Sequence, residues 1–257
     1  MAVLVSLENV SKNYEIEDDA DIVALFDVSL EIRDKEFISL IGPSGCGKST
    51  TLNIIAGLLE PSTGDVRIAD HPPARARKAR EIGVVFQDSV LLPWRTTRDN
   101  AAFLLEIAGK LNDETWRRVD AALAMVGLSE FSDRYPHQLS GGMKQRVSIA
   151  RALSLDPLLL LMDEPFGALD EFTRQRMNSE LLNVWSQTQK TVIFVTHNIA
   201  EAVYLSDRVI AMSPRPGRIV EDLEISLERP RVREVRYTQE FNEYVVHLQR
   251  LLESEEP

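Results

Sequence analysis

A single cysteine, Cys46, is present, so no disulfide can form within the chain, and this usage fits a reducing compartment. Basic residues are also in short supply: 29 lysines and arginines face 40 aspartates and glutamates, a net charge of −11 at pH 7. A binder of nucleic-acid backbone concentrates positive charge, so nucleic acid is not expected as a partner, although a local anion pocket is not excluded. Long hydrophobic runs are missing too. The longest strongly apolar run, Pro157 to Met162, is far too short to span a bilayer. The opening stretch, "MAVLVSLENVSKNYEIEDDAD", has no basic region followed by an apolar one and is not expected to act as a secretion signal. What remains is a chain of 257 residues with an ordinary globular balance, 44% hydrophobic and 27% charged. Its expected place is the cytosol, or a membrane surface reached through another protein.

Apolar residues are gathered into short β-like runs separated by helical or turn-rich stretches. "VLVSLENV" near the start and "VALFDVSLEI" at 23–32 alternate apolar and polar positions, as half-exposed antiparallel strands do. "FISLIG" at 37–42, "IGVVFQ" at 82–87, "LLLLMD" at 158–163, "TVIFVTH" at 191–197 and "RVIAMS" at 208–213 are nearly continuous apolar runs. Such runs suit strands buried on both faces of a parallel sheet, and the helical patterns after several of them predict an α/β architecture. Residues 91–157 differ, with helical stretches and no convincing strand, and read as a helical insertion. Within it Met143, Val147, Ala150 and Leu153 share one helical face. The tail from 229 ends in "FNEYVVHLQRLLESEEP", an expected terminal helix.

The stretch "LSGGMKQR" at 139–146 poses a question, since two glycines open a helix whose first turns are basic. It is either a plain helix start capped by Ser140 or a set of backbone N–H donors awaiting an anion. A clearer anion site lies upstream. "GPSGCGKST" at 42–50 sits between an apolar strand and an apolar helix, the context that makes a Walker A loop. Its glycines let successive N–H groups point inward at phosphate oxygens, and the helix adds its positive end. Gly42, Pro43, Ser44, Gly45, Cys46, Gly47, Lys48, Ser49 and Thr50 are therefore candidate ATP-binding residues. Lys48 is expected to neutralise the β- and γ-phosphates, and the Ser49 hydroxyl to ligate Mg²⁺. Cys46 is a small filler residue in one reading and a thiol activated by the helix end in the other. "LLLLMDEP" at 158–165 delivers two carboxylates to a strand's carboxyl edge. Beside a phosphate loop, Asp163 is expected to hold Mg²⁺, directly or through water, and Glu164 to polarise the attacking water.

Taken in order, "GPSGCGKST", Gln87 in "VVFQDS", "LSGGMKQR", "LLLLMDEP", "GALD" at 167–170 and His197 in "FVTHN" resemble the ATPase subunit of an ATP-binding cassette (ABC) transporter. The resemblance covers essentially the whole chain. It implies a P-loop NTPase core of RecA-like type with an antiparallel β subdomain and an inserted α-helical subdomain. On that reading residues 1–90 and 158–228 form the two parts of the core, 91–157 the helical subdomain with the signature, and 229–257 a helical tail. Two copies are implied to sandwich two ATP molecules head to tail. Ser140, Gly141 and Gly142 of one copy would then meet the γ-phosphate held by the other. The resemblance further implies that Gln87 senses Mg²⁺ and the γ-phosphate, that Asp170 communicates between the two sites, and that His197 fixes the attack geometry. Tyr14 matches the position whose ring stacks on adenine, although the acidic stretch at 15–21 after it looks like an enlarged loop.

A motor of this kind needs a load, and without a membrane span it requires separate permease subunits at the cytoplasmic face of a membrane. The expected docking surface lies around "DSVLLPWRTTRDN" at 88–100, where Trp94 either meets a partner helix or packs under the insertion. "LLPWRTTRDN", "PFGALDEFTR" and "SPRPGRI" resemble the importer group for nitrate, aliphatic sulfonates and taurine, which works with a solute-binding protein. Relatives with the same look import pyrimidine or riboflavin precursors. A soluble ABC ATPase is the contrasting class. The DNA-repair type is disfavoured because no heptad run separates Lys48 from Ser140, and the translation type because only one cassette is present. An iron–sulfur assembly type fits the size but not the importer-like details. A P-loop kinase leaves "LSGGMKQR" and "GALD" without a role.

Overall fold

The computed structural model describes residues 2–14 and 21–255. Along the chain run β1 (Val3–Tyr14), β2 (Ile22–Arg33), β3 (Phe37–Ile41), α1 (Lys48–Ile55), β4 (Thr63–Ile68) and α2 (Pro73–Ala79). Next come β5 (Ile82–Val85), α3 (Thr97–Ile107), α4 (Asp113–Met125), α5 (Gly141–Ser154), β6 (Leu159–Asp163) and α6 (Glu171–Thr188). The chain closes with β7 (Thr191–Val195), α7 (Ile199–Leu205), β8 (Arg208–Met212), β9 (Ile219–Glu224) and α8 (Gln239–Ser254). Two compact units result, one from Met1–Ala79 with Lys190–Pro257 and the other from Arg80–Gln189. Of the acidic stretch at 15–21, residues 15–20 lie outside the described residues.

In the first unit β1 pairs antiparallel with β2 on one side and β4 on the other. The alternation read in "VALFDVSLEI" is visible as Val28, Leu30 and Ile32 buried against exposed Asp27, Ser29 and Glu31. β3 lies between β7 and β8, parallel to both, and β9 adds antiparallel to β8. All five residues of β3 are buried, as are all five of β7, because strands covered on both faces can be apolar throughout. Each large apolar side chain taken from water there contributes about 1.5–3 kcal/mol. β3 is fixed at its start by Asp207, whose carboxylate accepts the Phe37 N–H at 2.9 Å. Buried Arg231 holds the tail down, donating to the carbonyls of Val203, Tyr204 and Ser206 where α7 ends. Phe241 and Leu248 are the buried residues of α8.

In the second unit β5 and β6 pair in parallel, Gly83 opposite Leu160 and Val85 opposite Met162. A Cβ at Gly83 would come 2.9 Å from the Leu160 side chain, so the glycine permits this close packing. Between the strands α3, α4 and α5 pack on one another. Thr96 caps α3, Asn112 forms a capping box with Thr115 for α4, and Ser140 caps α5. On the face read from the sequence, Val147, Ala150 and Leu153 are buried and Met143 is half-buried.

Three elements, α2, β4 and β9, carry no clear sequence pattern. "TGDVRI" and "IVEDLE" are polar edge strands, with only Val66 and Ile68 of β4 buried and no residue of β9 fully so. They are strands because their partners supply the ladder, which tertiary context rather than propensity decides.

Candidate nucleotide site

The first unit carries the phosphate loop. β3 ends at Ile41, residues 42–47 turn, and α1 begins at Lys48. The turn is possible only with glycine where it occurs: Gly42, Gly45 and Gly47 have φ of 153°, 78° and 103°. Neighbouring backbone is also too close for side chains, as a Cβ on Gly42 would lie 2.7 Å from the Met212 carbonyl oxygen. The loop is therefore a backbone cradle at a helix N-terminus, the arrangement that receives phosphate. Lys48 is buried, and its ammonium donates to the carbonyl oxygens of Gly42 at 2.8 Å and Pro43 at 3.0 Å. Ser44, Gly45 and Ser49 are exposed, and Pro43, Gly47 and Thr50 half-buried. Cys46 is wholly buried, its sulfur 3.6 Å from the Lys48 nitrogen, which favours the filler reading over an accessible thiol.

Two further candidates belong to this unit. Tyr14 is the last residue of β1, 39% exposed, with the Lys12 ammonium 5.5 Å from its ring centre. An exposed ring at that strand end can stack on a flat base. His197 is exposed and follows β7, next to Thr196, whose hydroxyl pairs with the buried carboxylate of Glu201 at 2.5 Å.

The second unit carries the acidic pair, Gln87 and the signature. Asp163 is the last residue of β6 and half-buried. Glu164 follows with φ of 43°, a left-handed conformation rare outside glycine, and its carbonyl accepts the Gly167 N–H at 3.0 Å. This turn carries the Glu164 side chain to the Gly167 segment. A Cβ on Gly167 would lie 3.3 Å from the Gln87 side-chain nitrogen and 3.5 Å from a Glu164 carboxylate oxygen. Gln87 and Glu164 thus converge above Gly167, a glycine whose value is the space it leaves open.

The signature opens α5. Ser140 is exposed, and its hydroxyl accepts the Met143 N–H at 3.3 Å. Capping uses one N–H of the first turn and leaves the positive helix end facing outward, so cap and anion site coexist. A Cβ on exposed Gly141 would lie 3.7 Å from the Leu169 side chain, and one on buried Gly142 would lie 3.4 Å from that of Thr173. The signature therefore packs on the 167–173 segment. There Asp170 caps α6 by accepting the Thr173 N–H at 3.0 Å, and this hydrogen bond holds its carboxyl below the usual aspartate range.

A connection not read from the sequence joins the signature helix to the Gln87 segment. Gln145 donates to the Phe86 carbonyl at 3.0 Å, Ser148 to that of Ser89 at 2.8 Å, and Arg151 to those of Ser89 and Val90 at 2.9 and 3.0 Å. Three polar residues at helical spacing on one face were the available signal. Beyond this anchored strip the chain displays Val90 and Trp94, 64% and 70% exposed, so Trp94 does not pack under the helices.

A phosphate loop at the end of a parallel strand, an acidic strand end and a capped signature helix define a nucleoside-triphosphate-hydrolysing cassette. The family profile described as ABC transporter matches residues 25–167. The chain belongs to this family: it is an ATP-binding subunit of an ABC transporter and an ATPase with the P-loop NTPase fold. It is 47% identical over 255 residues to an uncharacterized ABC transporter ATP-binding protein of Methanocaldococcus jannaschii, covering 99% of this chain and 93% of the relative. It is 48% identical over 222 residues to a taurine import ATP-binding protein of Pseudomonas fluorescens, covering 86% of this chain and 82% of the relative. Among solved structures, a dimeric post-hydrolysis state of an ATP-binding cassette bound to ADP and Pi matches with a TM-score of 0.74 and 35% identity, over 88% of this chain and 100% of that one. The cbiO1 protein of Clostridium perfringens, part of an ABC transporter complex, matches with a TM-score of 0.78 and 28% identity, over 98% of each chain.

Proposed function

We propose that this chain is the ATP-hydrolysing subunit of an importer for a small anionic solute of the nitrate, sulfonate or taurine kind. It would work at the cytoplasmic face of a membrane, with separate permease subunits and, through them, a solute-binding protein. The observation that carries this reading is the strip from Phe86 to Trp94, which exposes the apolar side chains of Phe86, Val90 and Trp94 while its carbonyls at 86, 89 and 90 are tied to the signature helix. Among the described residues no helix is long and apolar enough to cross a membrane, and in this reading the permease subunits supply the passage. The similarity to taurine import ATP-binding proteins supports the solute class.

In the proposed cycle the Gly42–Thr50 cradle binds the ATP phosphates, and Lys48 exchanges its loop carbonyls for phosphate oxygens. Ser49, Gln87 and Asp163 are the residues that would hold Mg²⁺. The ion would supply charge neutralisation on the phosphates. A hydroxyl, an amide and one carboxylate fit it, because Mg²⁺ takes few protein ligands and fills its shell with phosphate and water. Glu164 accepts a proton from the attacking water, and His197 and Gln87 orient the γ-phosphate and the water. Tyr14 stacks on adenine. Ser140, Gly141 and Gly142 serve the ATP of a second copy of the chain, with Asp170 at that junction. A dimer closed by two bridging ATP molecules reopens once hydrolysis removes the bridging phosphate. Movement of the signature helix is then passed to the permease through the strip it grips.

The test is recovery of the tagged chain from detergent-solubilised membranes of its source. Integral membrane subunits should accompany the wild type and be lost with Trp94→Ala at unchanged basal ATPase. Recovery free of any membrane protein would contradict the importer reading.

A further inference from the structure

The turn between β8 and β9 is built onto the phosphate loop. A Cβ on Gly217 would overlap the carbonyl oxygen of Cys46, and one on Gly42 would touch Met212. The turn is braced from several sides. Gly217 donates to the Ala24 carbonyl and its own carbonyl accepts the Phe26 N–H, both at 3.0 Å. The Ser213 hydroxyl oxygen accepts the Arg218 N–H at 3.1 Å, while the Ser213 N–H donates to the Arg218 carbonyl at 2.9 Å.

Arg215 stands at the tip of this braced turn. One of its terminal nitrogens lies 3.4 Å from the position of a Cβ on Gly45, alongside the exposed edge of the phosphate loop. Arginines nearby in the fold are engaged: Arg218 lies 4.6 Å over the Phe26 ring, and Arg208 pairs with Glu36 and Asp222. Among the described residues Arg215 has no ion pair or hydrogen bond of its side chain. An exposed guanidinium has no packing reason to be held on a rigid turn against a phosphate cradle. Its planar donors suit phosphate oxygens.

We propose that Arg215 is a second cation of the nucleotide site, delivered by the β8–β9 turn, which contacts the phosphate chain of the ATP bound by this chain's own loop. The proposal rests on the assignment of residues 42–50 as the ATP cradle. Lys48 reaches the phosphates from the helix side, whereas Arg215 approaches from the edge at Gly45. Its contribution is to affinity for the polyphosphate, because the contact is made in the bound state as well as during reaction.

The experiment is equilibrium titration of the purified chain with ATP, ADP and AMP at low and high salt, for wild type, Arg215→Ala, Arg215→Lys and Lys48→Ala. For Arg215→Ala, ATP affinity should fall about tenfold, the scale of one charge-assisted phosphate contact. ADP should follow by a smaller factor, AMP should not change, and Arg215→Lys should recover part of the loss. The melting temperature without nucleotide should stay at the wild-type value, since the side chain is exposed and unpaired. ATP affinity within twofold of wild type for Arg215→Ala would overturn the proposal, as would equal loss for AMP and ATP. Should that variant fold poorly, Arg215→Gln serves in its place with the same expectations. Lys48→Ala separates the layers: if it too binds ATP normally, the cradle assignment fails, not only the role of Arg215.

Discussion

Ser148, two turns into the signature helix, donates its hydroxyl to the carbonyl oxygen of Ser89 at 2.8 Å, two residues beyond Gln87. The same carbonyl accepts from Arg151 at 2.9 Å. The helix that presents Ser140–Gly142 and the segment that presents Gln87 are thus one hydrogen-bonded body. Ser148→Ala should cost about 0.5–1.5 kcal/mol, since the hydroxyl is buried but the carbonyl keeps its second donor. Combined with Arg151→Leu the loss should exceed the sum of the two, which denaturant unfolding of the four-member cycle measures.

Glu164→Gln should leave ATP affinity within about twofold and lower turnover by about a hundredfold or more, the range of a lost general base. The amide keeps the shape of the side chain in its left-handed turn but cannot accept the water proton. Single-turnover hydrolysis alongside equilibrium binding separates the two effects. A wild-type rate would remove Glu164 from the chemistry.

Gly217→Ala places a methyl where the Cys46 carbonyl already stands. Either the turn or the phosphate loop must move, so stability should fall by about 1–3 kcal/mol, as for other overpacked sites. ATP affinity should fall with it, because the displaced backbone belongs to the cradle. Thermal unfolding with and without ATP would show a smaller nucleotide-induced rise in Tm than in the wild type.

Asp170 offers a pH test. Its folded-state pKa is depressed by the Thr173 N–H, so the carboxylate stabilises the fold above the unfolded value and this contribution is lost as pH falls through the folded one. Asp170→Asn keeps the cap without the charge. The wild type should therefore be the more stable of the two at pH 7, with the difference closing in acid. Parallel melting curves from pH 7 down to about 2 check this.

The parallel strands were legible in the sequence because double burial makes "FISLI" and "TVIFV" apolar at every position. The phosphate loop was legible because its geometry needs glycine at Gly42, Gly45 and Gly47, each with positive φ. β4 and β9 were not, since polar edge strands take their structure from their neighbours. Long-range contacts were hidden for the same reason. Nothing local to "SPRPGRI" indicates that Gly217 abuts Cys46 or that Arg215 reaches Gly45. Likewise, a serine and a glutamine on an amphipathic helix do not announce that they hold the carbonyls of residues 86 and 89. The juxtaposition of Gln87 and Glu164 beside Gly167 was equally hidden, because it depends on the left-handed turn at Glu164 and on the distant segment that carries Gln87.

Importer function is decided by ATP hydrolysis of the chain reconstituted in lipid vesicles with the membrane subunits that copurify with it. Taurine, an alkanesulfonate or nitrate is supplied outside with the solute-binding protein. One of these anions should raise the rate several-fold in the wild type and not in Trp94→Ala. A rate unaffected by any of them, and equal with and without the membrane subunits, would contradict importer function.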